Sequence, residues 1–173
     1  MPVVEHLRLG YHFVEYLYAG TMPTELSASL SCLKVLELPS ICFRCMSEIS
    51  VVLCLIVSSP NLEKLEIVFV ATSGKIIPLA PKLLKVADLL ENALKKLRVV
   101  KMKLSDKKEV RPELEFLKFL LAESVVLEKM LIQPAEGTTA EEGFKILKKI
   151  IRFQRSSKKA DILYLDCDGD GEC

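Results

Sequence analysis

SPNLEKLEIV, residues 59–68, comes back in altered form as SVVLEKMLIQ at residues 124–133, with Leu62 and Leu127 65 positions apart. The apolar spacing i, i+3, i+5 set by Leu62, Leu65 and Ile67 occurs six times in the chain. The other five sets are Val4/Leu7/Leu9, Leu33/Leu36/Leu38, Leu97/Val100/Met102, Leu127/Met130/Ile132 and Ile162/Leu165/Cys167. Their first members are 29, 29, 35, 30 and 35 residues apart. A period this even points to stacked units.

In each set the last two positions lie two residues apart, so they share one face of a strand, while the first belongs to the turn leading into it. Amphipathic stretches separate the strands. SEISVVLCLIVSS, LLKVADLLENALKK, RPELEFLKFLLAES and TAEEGFKILKKIIRFQ carry apolar residues at three- and four-residue steps, as helices with one buried face do. Thr139 with Glu142 fits a capping box, Ser47 suits an N-cap, and Pro112 suits a first helical turn. Pro60 and Asn61 break the chain before the next strand. Strands joined by helical crossovers run parallel, and units of this size stack into a curved solenoid, strands inside and helices outside.

Composition narrows the function. The 24 basic and 23 acidic residues of the 173 nearly cancel, so no overall charge calls for nucleic acid or an anionic membrane as partner. The longest apolar run, Val51 to Val57, is far short of the roughly 20 residues that span a bilayer. No secretory pattern opens the chain, so an intracellular location, cytoplasm or nucleus, is expected. Cys32, Cys54 and Cys167 sit inside apolar patterns and read as packing residues, and Cys42 and Cys45 form a lone CFRC that reads as a loop pair.

No catalytic or cofactor constellation stands out. His6 and His12 lack a nucleophile motif or metal-ligand spacing, and the glycines form no phosphate loop. The tail DCDGDGEC imitates the start of a calcium loop, with Asp166, Asp168 and Asp170 at alternate positions, but ends before a closing Glu. It reads as a solvated acidic terminus. Lys145, Lys148, Lys149, Arg152, Arg155, Lys158 and Lys159 form the densest basic cluster, read as a solvated face opposite Phe144, Leu147, Ile150 and Ile151. A binding scaffold is expected, with no enzyme activity, cofactor or metal.

Three segments carry a resemblance. EISVVLCLIVSSPNLEKLEI is similar to the last leucine-rich repeat of plant F-box proteins that combine such repeats with an FBD domain. LKKLRVVKMKLSD with ELEFLKFLLAESVVLEKMLIQ resembles their FBD segment, and FKILKKIIRFQRSSKKADILYL completes it. The resemblance implies an α/β, leucine-rich-repeat-like solenoid with parallel strands on the concave side and helices on the convex side. It divides the chain into repeat-like units at 1–75, an FBD domain continuing the solenoid at 76–166, and an acidic tail at 167–173. In that family an F-box docks on a ubiquitin ligase, while repeats and FBD present a substrate-binding surface. Met1 falls almost on the first strand, so no F-box segment is expected here, and the uncapped N-terminal edge is expected to favour self-association.

The concave strip follows from strand alternation. One column runs Arg8, Glu37, Glu66, Lys101, Leu131 and Asp166, and its neighbour His6, Val35, Lys64, Val99, Lys129 and Tyr164. The expected partner-binding residues are His6, Arg8, Glu37, Lys64, Glu66, Lys101, Lys129, Leu131 and Tyr164, facing an unknown protein rather than nucleic acid or membrane. A small-ligand or polyanion sensor using the 145–159 cluster is the alternative.

Overall fold

A computed structural model describes residues 3–18, 30–72, 75–106 and 110–165. Six strands alternate with helices: β1 (His6–Arg8), α1 (Tyr11–Tyr18), β2 (Val35–Ile41), α2 (Met46–Val57), β3 (Lys64–Phe69), α3 (Ala80–Ala93), β4 (Val99–Lys103), α4 (Arg111–Glu123), β5 (Lys129–Gln133), α5 (Ala140–Ile150) and β6 (Asp161–Tyr164). A short 3-10 turn at Leu30–Cys32 leads into β2. The sheet order is β1-β2-β3-β4-β5-β6, every neighbouring pair parallel. This is a mixed α/β structure in which each strand lies beside its predecessor.

The repeated leucines do what their spacing asks. Leu36, Leu38, Leu65, Ile67, Val100, Met102, Met130 and Ile132 are all buried, on the side where the helices pack. Leu33, Leu62, Leu97 and Leu127, one turn earlier, are fully buried too. Each closes the same turn, donating its N–H to the carbonyl three residues back: Leu30, Ser59, Leu94 and Ser124 respectively. The next two residues of each unit then donate to one carbonyl of the preceding unit, as Glu63 and Lys64 do to the Lys34 oxygen at 2.8 and 2.9 Å. Apolar anchoring and backbone pairing thus fix the same register.

Most helix boundaries follow local chemistry. The Thr139–Glu142 capping box is present, and Pro112 lies in the first turn of α4. Other starts depart from expectation. Cys45, not Ser47, is the N-cap of α2, and the buried Glu48 carboxylate reaches back to accept the Cys42 N–H at 2.6 Å. Helix α3 begins at Ala80, before the apolar pattern at Leu83, because Glu115 on α4 accepts the N–H groups of Leu79 and Ala80 at 2.8 and 3.3 Å. Helix α1 was not foreseen; it buries Val14 and Leu17. Its sequence YHFVEYLY is rich in aromatic and branched residues that favour helix weakly.

Four apolar readings need correcting. Cys32 and Cys54 are exposed rather than packed. Phe144 and Ile151 also face out, because α5 turns Gly143, Ile146 and Ile150 to the core instead. Gly143 faces Tyr164 on β6: a Cβ at residue 143 would lie 2.8 Å from its hydroxyl oxygen, so a larger residue would displace the end of that ring. Pro39 sits where β2 slips against β3, between Leu38 and Ile41, a place where a missing N–H costs no ladder bond.

Candidate functional site

All-parallel sheets are ordinarily covered on both faces. Here helices cover one face, and the other presents the alternate residues of each strand. One row runs His6, Val35, Lys64, Val99, Lys129 and the next Arg8, Glu37, Glu66, Lys101, Leu131, residue opposite residue across five strands. Glu37 and Glu66 are lateral neighbours, flanked by His6 and Arg8 on one side and by two lysines on the other. His6 Nε2 and Arg8 Nη1 lie 3.2 and 3.7 Å from Glu37, while Lys64 and Lys101 each lie 3.9 Å from Glu66. These pairs are partly exposed, so each stabilises the fold by no more than about 1 kcal/mol. Their chief effect is a fixed pattern across β1 to β4: two adjacent carboxylates flanked by Arg8 and Lys101.

At β6 the expected columns fail. Asp161 stands opposite Lys129, Leu163 opposite Leu131, and Tyr164 opposite Ile132. Tyr164 therefore turns toward the helices and packs on the core, not on the open face. The predicted set Ile162/Leu165/Cys167 satisfies the apolar spacing, but the chain uses Ala160 as the turn residue, donating to the Ser157 carbonyl as Leu127 donates to Ser124. The unit is one residue shorter between turn and strand than its neighbours. Asp161 and Leu163, missed from the sequence, occupy the open face. The signal was Ser157, which repeats buried Ser59 and Ser124 three residues before each turn residue. Asp166, Asp168, Asp170 and Cys167 lie outside the described residues.

A second polar cluster sits at the C-terminal ends of β2, β3 and β4. Arg44 donates to the Thr72 carbonyl at 2.7 Å and lies 4.0 Å from Asp106, tying the loops after three strands. Below it, Glu113 is buried and accepts from the Ser105 hydroxyl. Burial raises the Glu113 pKa above its usual value, with Asp106 adding to the shift and the Ser105 hydrogen bond and Arg44 opposing it. Native protein thus holds a proton here more tightly than the unfolded chain, and stability falls as pH rises from the ordinary glutamate value through the raised one. Glu113→Gln is expected to raise the melting temperature at pH 7, by a margin that shrinks toward pH 4. Thermal melts across that range check it; a constant margin would mean that Glu113 keeps its charge in the fold.

Cys42 and Cys45 are neighbours in this cluster, with Cys42 Sγ 3.2 Å from the Thr72 hydroxyl. Burial first, then the Cys42 thiol and the Glu48 carboxylate, push the Cys45 pKa up to about 11, which disfavours thiolate chemistry. Among the described residues no group of three or more His, Cys, Asp or Glu side chains is placed to hold a metal ion. No described helix is long and apolar enough to cross a membrane.

The basic cluster is bound into local structure. Lys145 pairs with Glu141 at 3.4 Å, Lys148 lies 4.9 Å over the Phe144 ring, and Arg155 donates to the Ala160 carbonyl at 3.0 Å. Lys148 and Lys149 occupy the last turn of α5, where cations are favoured.

The chain is similar to a protein of Arabidopsis thaliana. An F-box/FBD/LRR-repeat protein of that plant is 32% identical over 168 residues, 95% of this chain. The similarity to this F-box/FBD/LRR-repeat protein runs over nearly the whole of this chain. The chain spans 39% of the length of that relative. No family model matches the chain, and no solved structure does.

Proposed function

We propose that this chain is a non-catalytic protein-interaction module, the substrate-recognition half of an F-box type ubiquitin-ligase receptor, in which the uncovered strand face grips the partner. In this reading the six strands continue a leucine-rich-repeat solenoid, with repeat-like units through residue 75 and the FBD from 76 onward. The observation that carries it is the open parallel face: it keeps a patterned row of charges, Glu37 and Glu66 between Arg8 and Lys101, where a structural sheet would bury apolar residues. Similarity to an F-box/FBD/LRR-repeat protein supports a protein as the partner. Arg8, Glu37, Lys64, Glu66 and Lys101 read its charge, and Leu131 with Leu163 offers apolar contact toward β6.

Exchanging the charges of one pair tests this while keeping the pair. Glu66→Lys with Lys101→Glu keeps the attraction between residues 66 and 101, gives up the one between Glu66 and Lys64, and inverts the pattern. Proteins captured from plant extract by the parent chain are expected to be lost from the exchanged variant and retained by Lys148→Glu, which lies on a helix away from the open face. Equal capture by all three would sink the assignment. A thermal-shift series with inositol phosphates checks the sensor alternative; saturable stabilisation lost on Lys149→Glu would favour it instead.

A further inference from the structure

A groove of about 310 Å³ runs between α2 and α3 on the helical side of the molecule. Ser50, Leu53, Cys54 and Val57 line it from α2, and Lys82, Lys85, Val86 and Leu89 from α3. Both helices turn the same pattern inward, positions 0, 3, 4 and 7, which is the stripe a helix shows to a packed neighbour. Two such stripes side by side leave room for a third.

The groove is chemically lopsided. Helix α2 presents Met46, Ser50 and Cys54 to solvent and no charge, since its one carboxylate, Glu48, is buried. On α3, Leu89 is 56% exposed at the groove. The charges are two cations at one end. Lys82 Nζ donates to the Met46 carbonyl at 3.3 Å and to the Ser50 hydroxyl, and neither Lys82 nor Lys85 pairs with a carboxylate among the described residues. Glu115, the acid at the start of α3, is committed to the N–H groups of Leu79 and Ala80. Burial and the adjacent Lys85 lower the Lys82 pKa, so the site lacks a negative charge that would relieve both. The N-terminus of α3 adds its positive end there.

We propose that the α2–α3 groove is a docking site for an acidic amphipathic helix of a partner protein, its apolar stripe lying along Leu53, Val57, Val86 and Leu89 and its carboxylates meeting Lys82 and Lys85. The surface is separate from the open strand face, so the receptor reading stands or falls without it.

The probe is a fluorescein-labelled 14-residue helical peptide with leucines at positions 0, 3, 4 and 7 and glutamates at one end, compared with the same peptide carrying lysines. Anisotropy titrations are expected to show saturable micromolar binding of the acidic peptide and at least ten-fold weaker binding of the basic one. Lys82→Glu with Lys85→Glu is expected to reverse that preference, and Leu89→Asp to abolish both. Lys85→Glu alone, at an exposed side chain with no hydrogen bond or ion pair among the described residues, is expected to weaken the acidic peptide several-fold and guards against a folding defect in the double variant. No saturation below a millimolar, equal affinity for the two peptides, or a preference that survives charge reversal overturns the proposal. So does self-association of the parent chain abolished by Leu89→Asp, which would give the groove to a second copy.

Discussion

Alanine at Leu62 and Leu127 together is expected to leave most of the protein unfolded at 25 °C, while either substitution alone leaves it folded. Both side chains are fully buried, and each stands at the turn that starts a strand. Trimming a buried leucine to alanine costs about 2–5 kcal/mol, the lost transfer energy plus the cavity. The two sites belong to β3 and β5, with β4 between them, so they are separated by about 10 Å in the sheet. At that distance the costs should add within about 0.5 kcal/mol. Their sum, about 4–10 kcal/mol, rivals the whole stability of a domain, about 5–15 kcal/mol. Urea denaturation of the two single variants and the double variant reads it. A double variant as stable as the weaker single one would show that the two turns do not anchor separate units.

Phe116→Ala is expected to cost about 3–5 kcal/mol as a single change. Phe116 is fully buried in α4 and meets the Phe43 ring edge-on, centroids 5.2 Å apart, and Phe43 in turn lies 4.7 Å from Phe69. The three rings join α4 to the ends of β2 and β3, below the loops that Arg44 ties. Phe116→Leu, which keeps most of the volume but loses the edge-on contact, should lose about 0.5–1.5 kcal/mol less directly through packing. Chemical denaturation of both variants separates cavity from ring geometry. A near-neutral Phe116→Ala would mean that the cluster closes over the gap.

The strands were legible because each unit spends three apolar residues on one job at fixed spacing, and five of six registers follow from that alone. The sixth did not, because apolar spacing tolerates a slide that hydrogen bonding does not: Ile162, Leu165 and Cys167 satisfy the pattern, but the Ala160 turn and the Asp161 N–H to Glu128 bond set the strand earlier. The start of α3 was illegible for a different reason. Its cap is Glu115, 35 residues later on another helix, and no local rule sees a cap supplied through tertiary packing. The charged rows of the open face could be listed from alternation, whereas the α2–α3 groove required knowing which sides of two helices face each other.

The sequential sheet also sets the kinetics of assembly. Along the observed register each strand pairs with residues 28 to 35 positions earlier in the chain. Closing a loop costs an entropy that grows only with the logarithm of its length, about 0.6 kcal/mol per doubling, so the five closures are nearly equivalent. No pairing waits for the two ends of the chain to meet, and any adjacent pair of strands can serve as the nucleus. A chain lengthened by further units of this kind would repeat the same elementary closure rather than face a longer one, so its folding rate should depend on how well one pair nucleates and only weakly on how many pairs follow.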